Sequence, residues 1–70
     1  MNTAMFQAAV NALIYAHGTC RLTDEARDRY RSMTPREKDA LAKAMARKMK
    51  TGTLTEGIEL ANVMLARYKP

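Results

Sequence analysis

The sequence predicts an all-α fold, a compact array of four short helices in a single domain over residues 1–70. Three observations predict it. Alanine, methionine, leucine, lysine, arginine and glutamate dominate the composition, and these are good helix formers. Valine and isoleucine are scarce, and no strand-like alternation runs beyond a few residues. Four apolar stripes at helical spacing are separated by Gly, Thr and Pro punctuation. A three-helix bundle with one extra turn is the alternative architecture.

The first helix is expected from about Ala4 to His17, capped by Thr3 and stopped by Gly18. Phe6, Val10, Leu13, Ile14 and His17 recur at the spacing of one face, and alanines fill much of the remainder. Gln7 and Asn11 make a narrow polar strip. A helix so apolar all round needs cover on two sides, either as the central helix of the monomer or as part of a homodimer interface.

A second helix should run from about Asp24 to Met33 under a Thr23 cap, with Asp24 and Glu25 at the positive end of its dipole. Leu22, Ala26, Tyr30 and Met33 mark its buried edge, and Glu25 can pair with Arg29 one turn on. Thr34-Pro35-Arg36-Glu37 is a capping box that opens a third helix, expected to reach about Lys50. Leu41, Ala42, Met45 and Met49 form its apolar face. Thr53-Leu54-Thr55-Glu56 reads as a second capping box, opening a fourth helix from about Leu54 to Tyr68. Its apolar face is Leu54, Ile58, Ala61, Leu65 and Tyr68, widened by Leu60 and Met64, with Glu56, Glu59 and Asn62 left in solvent. Gly57 in its first turn weakens the start by roughly 1 kcal/mol relative to alanine.

A core this small rarely supplies more than about 3–5 kcal/mol of net stability. An internal disulfide is excluded by the single cysteine, Cys20. A lone thiol suits a reducing compartment, and the uncharged residues 1–20 are too short and too polar for a membrane span, so the expected location is the cytoplasm. The six methionines, Met1 included, are adaptable core fillers that some promiscuous surfaces also use.

The net charge of +5 is unevenly placed: residues 21–50 hold ten of the twelve basic side chains and five of the seven acidic ones. On the third helix Arg36, Lys43, Arg47 and Lys50 fall within a narrow sector opposite Leu41, Met45 and Met49. Arg27 and Arg31, four apart on the second helix, extend the candidate patch. Such a row attracts phosphates through counterion release, and it equally suits an acidic protein surface. An ordinary solvated helix face is the competing reading.

The opening Thr34-Pro35-Arg36-Glu37-Lys38, followed by Leu41, resembles the start of LuxR-type DNA-binding domains. The resemblance spans eight residues and reduces to a shared capping box, because no matching turn and recognition helix follow. Lys48 and Thr53 stand where a helix-turn-helix around Gly52 would need close packing.

His17 and Cys20 have ligand spacing, but a closed zinc site needs four ligands and no metal or other cofactor is expected. One His, one Cys and one Ser, with isolated glycines and little room for a pocket, argue against an enzyme. The expected function is therefore that of a small helical binding protein, an inhibitor or adaptor that occludes a surface of a larger bacterial or phage-related machine. A nucleic-acid-binding or nucleoprotein-associated protein using the basic helix face is the alternative.

Overall fold

A computed structural model describes residues 2–68, and these form four helices: α1 (Thr3–Gly18), α2 (Asp24–Ser32), α3 (Pro35–Lys48) and α4 (Leu54–Arg67). The all-α, four-helix expectation is met. Met1 lies outside the described residues.

The helix ends differ from expectation where two residues compete for one task. Asn2, not Thr3, caps α1; its Oδ1 accepts from the Ala4 N–H at 2.9 Å and the Met5 N–H at 3.4 Å. Asparagine satisfies the orphan amides at least as well as threonine, so the helix starts one residue earlier. At the other end α1 runs through Gly18. The Thr19 N–H and hydroxyl both donate to the Tyr15 carbonyl, at 2.9 and 2.7 Å, and the Arg21 N–H returns to the Ala16 carbonyl at 2.9 Å. This pairing puts the left-handed residue of the termination at Cys20, with φ of 58°. A side chain there carries a steric cost that glycine avoids. Cys20→Gly should raise unfolding stability by about 0.5–1 kcal/mol in urea titration; a loss of stability would place the strain elsewhere.

α1 makes the largest correction to the expected core. Its buried side is Ala9, Ala12, Leu13 and Ala16, whereas Ile14 is 61% exposed and Phe6, Val10 and His17 are half-buried. Ile14 thus joins the Gln7–Asn11 strip, whose side chains hydrogen-bond at 3.0 Å. The reason is distance: alanines let neighbouring backbones approach, so the helix turns its small side inward.

α1 packs against both α3 and α4, and α2 packs chiefly against α4. At the α1–α4 crossing, a Cβ placed on Gly57 would lie 2.4 Å from Ala12 Cβ, closer than two carbons can stand. Gly57 is therefore a contact residue and not merely a weak helix former. The expected edges of α2 and α3 are buried: Leu22, Ala26, Tyr30 and Met33 on one, and Leu41, Ala42, Met45 and Met49, joined by Ala46, on the other. On α4, Ala61 and Leu65 are fully buried, Ile58 and Tyr68 are partly buried, and Leu54 is 42% exposed at the helix start.

Polar side chains complete the frame. Asn62, expected in solvent, accepts from the Thr23 N–H at 2.8 Å and donates to the Arg21 carbonyl at 3.1 Å, tying the α1–α2 turn to α4. Arg29 pairs with Glu25 at 2.9 Å as expected. It also donates to the carbonyls of Leu65 (2.9 Å), Ala66 and Tyr68 (3.2 Å), satisfying the end of α4 with a guanidinium from α2.

Candidate functional site

The expected site begins on α3. The Thr34–Glu37 capping box forms in full: Glu37 N–H donates to Thr34 Oγ1 at 3.2 Å, and Thr34 N–H donates to Glu37 Oε1 at 3.0 Å. The Tyr68 hydroxyl donates to the other Glu37 oxygen and pins the end of α4 to the start of α3. The Thr34 backbone bond, and then the Tyr68 hydroxyl, hold the Glu37 carboxyl below its usual pKa.

Helical pitch places Arg36, Lys43 and Arg47 on the side of α3 opposite the buried Met45, and all three are exposed. Lys43 pairs with Asp39 at 2.9 Å. Among the described residues neither Arg36 nor Arg47 has an acidic partner within ion-pair distance. Lys50 lies beyond the helix, because α3 ends at Lys48 with Met49 as its cap. Lys50 is exposed in the α3–α4 loop, so its place beside Arg47 is not set by helical pitch.

The two α2 arginines are engaged elsewhere. Arg27 lies near Asp24 at 3.5 Å and Asp28 at 3.3 Å, and its buried Nε has no partner. Arg31 Nε donates to His17 Nε2 of α1 at 3.2 Å. His17 also stacks at a tilt on Tyr30, with ring centroids 5.2 Å apart, and Lys38 Nζ sits 4.5 Å above the same Tyr30 ring. Burial raises the Tyr30 pKa. The cationic face thus centres on three α3 residues, with Arg31 on a separate cluster at the end of α1.

Cys20 is exposed, and the Ser32 hydroxyl donates to the Arg29 carbonyl at 2.9 Å. Among the described residues no three His, Cys, Asp or Glu side chains gather as a metal site.

The loop after α3 holds a feature that sequence reading missed. Thr53 caps α4, accepting from the Glu56 N–H at 3.2 Å, but the Glu56 carboxylate does not return to Thr53. It reaches further back, accepting the N–H groups of Lys50 (2.8 Å), Thr51 (2.9 Å) and Gly52 (3.1 Å) and the Thr51 hydroxyl (2.9 Å). The positive φ of Gly52, 69°, helps turn these amides toward one point. The Lys50 and Thr51 bonds lead in lowering the Glu56 pKa from its usual 4.5 to about 2. A depressed native pKa stabilises the fold above the unfolded value and loses that contribution as pH falls through the native one. Acid titration should therefore show stability declining between pH 4.5 and about 2. In Glu56→Gln that decline should flatten, leaving the part due to Glu37. An unchanged acid profile would mean the carboxylate is not held by the loop in solution.

Apolar troughs flank α3. One, against α1, is lined by Val10, Ile14, Pro35 and Ala42 among others. Two more follow the α3–α4 seam, the first lined by Ala40, Leu41, Ala44, Met64 and Tyr68 with Glu37, the second by Leu60 and Val63 with Lys48, Glu56 and Glu59. Ala40 and Ala44 carried no sequence signal, since alanine is tolerated both inside a helical domain and on its surface.

Comparison of the chain with protein-family models, with curated proteins and with solved structures finds no match. No helix among the described residues is long and apolar enough to cross a membrane. The class defined by the fold is a small all-α domain with a cationic helix face.

Proposed function

We propose that this chain is a non-enzymatic binding protein, an inhibitor or adaptor that occludes an acidic surface of a larger bacterial or phage-related protein. One observation carries the reading: Arg36, Lys43 and Arg47 share the exposed face of a doubly anchored α3, and two of the three are without acidic partners among the described residues. Unpaired guanidiniums on one helix face favour a carboxylate-bearing partner and speed encounter with it. A cytoplasmic setting belongs to this reading and is supported by the exposed free thiol of Cys20.

Pull-down from nuclease-treated bacterial lysate tests it. Wild-type protein should retain a specific protein, and the Arg36→Glu, Lys43→Glu, Arg47→Glu triple variant should lose it, with affinity down about tenfold or more. Retention of nothing specific by the wild type overturns the reading.

The same row favours a second reading, binding to nucleic acid through phosphates. That reading requires gel retardation at micromolar protein in low salt, and a salt slope reduced by about 1 for each reversed contact. Self-association through α1 belongs to both readings. It is supported by Ile14 and Tyr15, 61% and 41% exposed, and it is read by sedimentation mass.

A further inference from the structure

We infer that two copies of this chain meet in antiparallel contact across the uncharged outer face of α1, with the crossing centred on Asn11. This dimer gives a geometry to the self-association that both functional readings include, and it holds whichever partner the cationic row takes.

Three features name a second copy as the occupant. First, the face has no charge. Residues 1–20 hold no Lys, Arg, Asp or Glu, and Ala4, Gln7, Asn11, Ile14, Tyr15 and Gly18 are all exposed. The solvent side of a surface helix ordinarily carries charged side chains. In a two-fold contact a patch meets its own copy, so like charges near the axis would face one another. On a chain of net charge +5, α1 is the helix that escapes this repulsion. A partner protein of either sign gains no charge pairing there.

Second, the row is self-complementary. Ala4, Gln7, Asn11, Tyr15 and Gly18 are spaced +3, +4, +4 and +3, the same in either direction. An antiparallel copy crossing at Asn11 sets Ala4 against Gly18, Gln7 against Tyr15, and Asn11 against its own equivalent. Small residues at both ends let the two helices stay close along the roughly 24 Å of α1. An amide is donor and acceptor at once, so Asn11 can bond to Asn11 of the other copy. Gln7 steadies that amide, donating to Asn11 Oδ1 at 3.0 Å. A single asparagine at a helix–helix contact is a known means of fixing register.

Third, apolar cover lies beside the row. Ile14, 61% exposed, stands on one edge of it, over the trough that Val10, Pro35 and Ala42 help to line. With the crossing at Asn11, Ile14 of each copy comes against Val10 of the other. On the α3 wall of the trough Lys38 and Asp39 are adjacent and opposite in sign, and a rim of mixed sign suits self-contact. Arg36, Lys43 and Arg47 do not line the trough, so the dimer displays two cationic rows. A strip of about 24 by 10 Å is smaller than the ~800 Å² that each partner of a standard interface buries. The dimer is therefore weak, with a Kd on the order of 10–100 µM.

Sedimentation equilibrium of the full chain tests the contact. The mass should rise from that of one chain toward that of two across the range of about 10 µM to 1 mM. Amide shifts that depend on concentration should cluster at Ala4, Gln7, Asn11 and Ile14. Ile14→Glu should weaken the dimer about tenfold or more, whereas Val63→Glu, at the other exposed apolar position of similar kind, should leave it unchanged. Both sites are exposed, and a thermal melt verifies each fold. Asn11→Glu and Asn11→Lys read the two-fold crossing directly. Each alone should be monomeric, and an equimolar mixture of the two should dimerise at least as well as the wild type, because opposite charges then meet at the axis.

A chain that stays monomeric up to 1 mM overturns the dimer and leaves the acidic-partner reading standing. A dimer that survives Ile14→Glu, or a mixture of Asn11 variants no better associated than its components, places the contact elsewhere and overturns the inference. The Arg36→Glu, Lys43→Glu, Arg47→Glu triple variant should lose the lysate partner and keep the dimer, so the two ideas fail separately. Loss of the dimer in that variant would assign the contact to the α3 row and likewise overturn the inference.

Discussion

Leu65→Ala is expected to bring the protein close to its unfolding threshold at 25 °C. Leu65 and Met45 are the largest side chains with essentially no exposure. Leu65 lies on α4, the helix that contacts all three of the others. Truncating a buried leucine to alanine removes its transfer energy and leaves a cavity, together about 2–5 kcal/mol. A core of this size rarely supplies more than about 3–5 kcal/mol in total. The loss should appear as a fall in melting temperature of about 4–8 °C per kcal/mol, followed by far-UV circular dichroism. Met45→Ala should behave alike, and Met45→Leu should cost less than about 1.5 kcal/mol, because the volume is nearly kept. A Leu65→Ala loss below 1 kcal/mol would show that the helices close over the gap or that α4 does not lie at the centre.

Gly57→Ala is expected to destabilise by about 2 kcal/mol, opposite in sign to the gain that helix propensity alone predicts. The new methyl would stand 2.4 Å from Ala12 Cβ and 3.9 Å from its Cα, and Met49 Cε is 3.5 Å away on another side. Met49 can shift, but Ala12 is carried on helix backbone and cannot, so α1 and α4 must separate. The remedy should lie at the point of contact. Ala12→Gly alone costs about 1 kcal/mol through helix propensity. Combined with Gly57→Ala it should recover part of the loss, giving a coupling of opposite sign to the two single effects. Urea titration of the four proteins completes the cycle. A stabilised Gly57→Ala variant would mean that the α1–α4 crossing is wider than 2.4 Å contact geometry requires.

Much of the local structure was legible in the chain. Thr23, Thr34 and Thr53 each cap the helix assigned to them, because a hydroxyl that satisfies an orphan amide acts within three residues and needs no tertiary partner. The buried edges of α2 and α3 were legible because their stripes contrast with charged neighbours. α1 offered no such contrast. With apolar residues all round, periodicity could not tell the Ile14 side from the Ala12 side, and the side that allows the closer approach was buried. The candidate site divides the same way. Arg36, Lys43 and Arg47 share a face because they share a helix, whereas Lys50 was assigned to a turn that α3 does not reach. Arg27 and Arg31 found partners in Asp24, Asp28 and His17 that spacing along α2 alone did not settle.

Sequence by itself determined four helices, the caps of the last three and the cationic outer face of α3, since each depends on interactions between residues a turn apart. Only the tertiary structure decided which side of α1 is dry, that Gly57 must remain without a side chain, that Asn62, Arg29 and Tyr68 bind across helices, and that an apolar seam stays open between α3 and α4. Those outcomes depend on how closely helices distant in sequence approach, and that distance is set by the smallest residues at each crossing rather than by any repeating pattern along the chain.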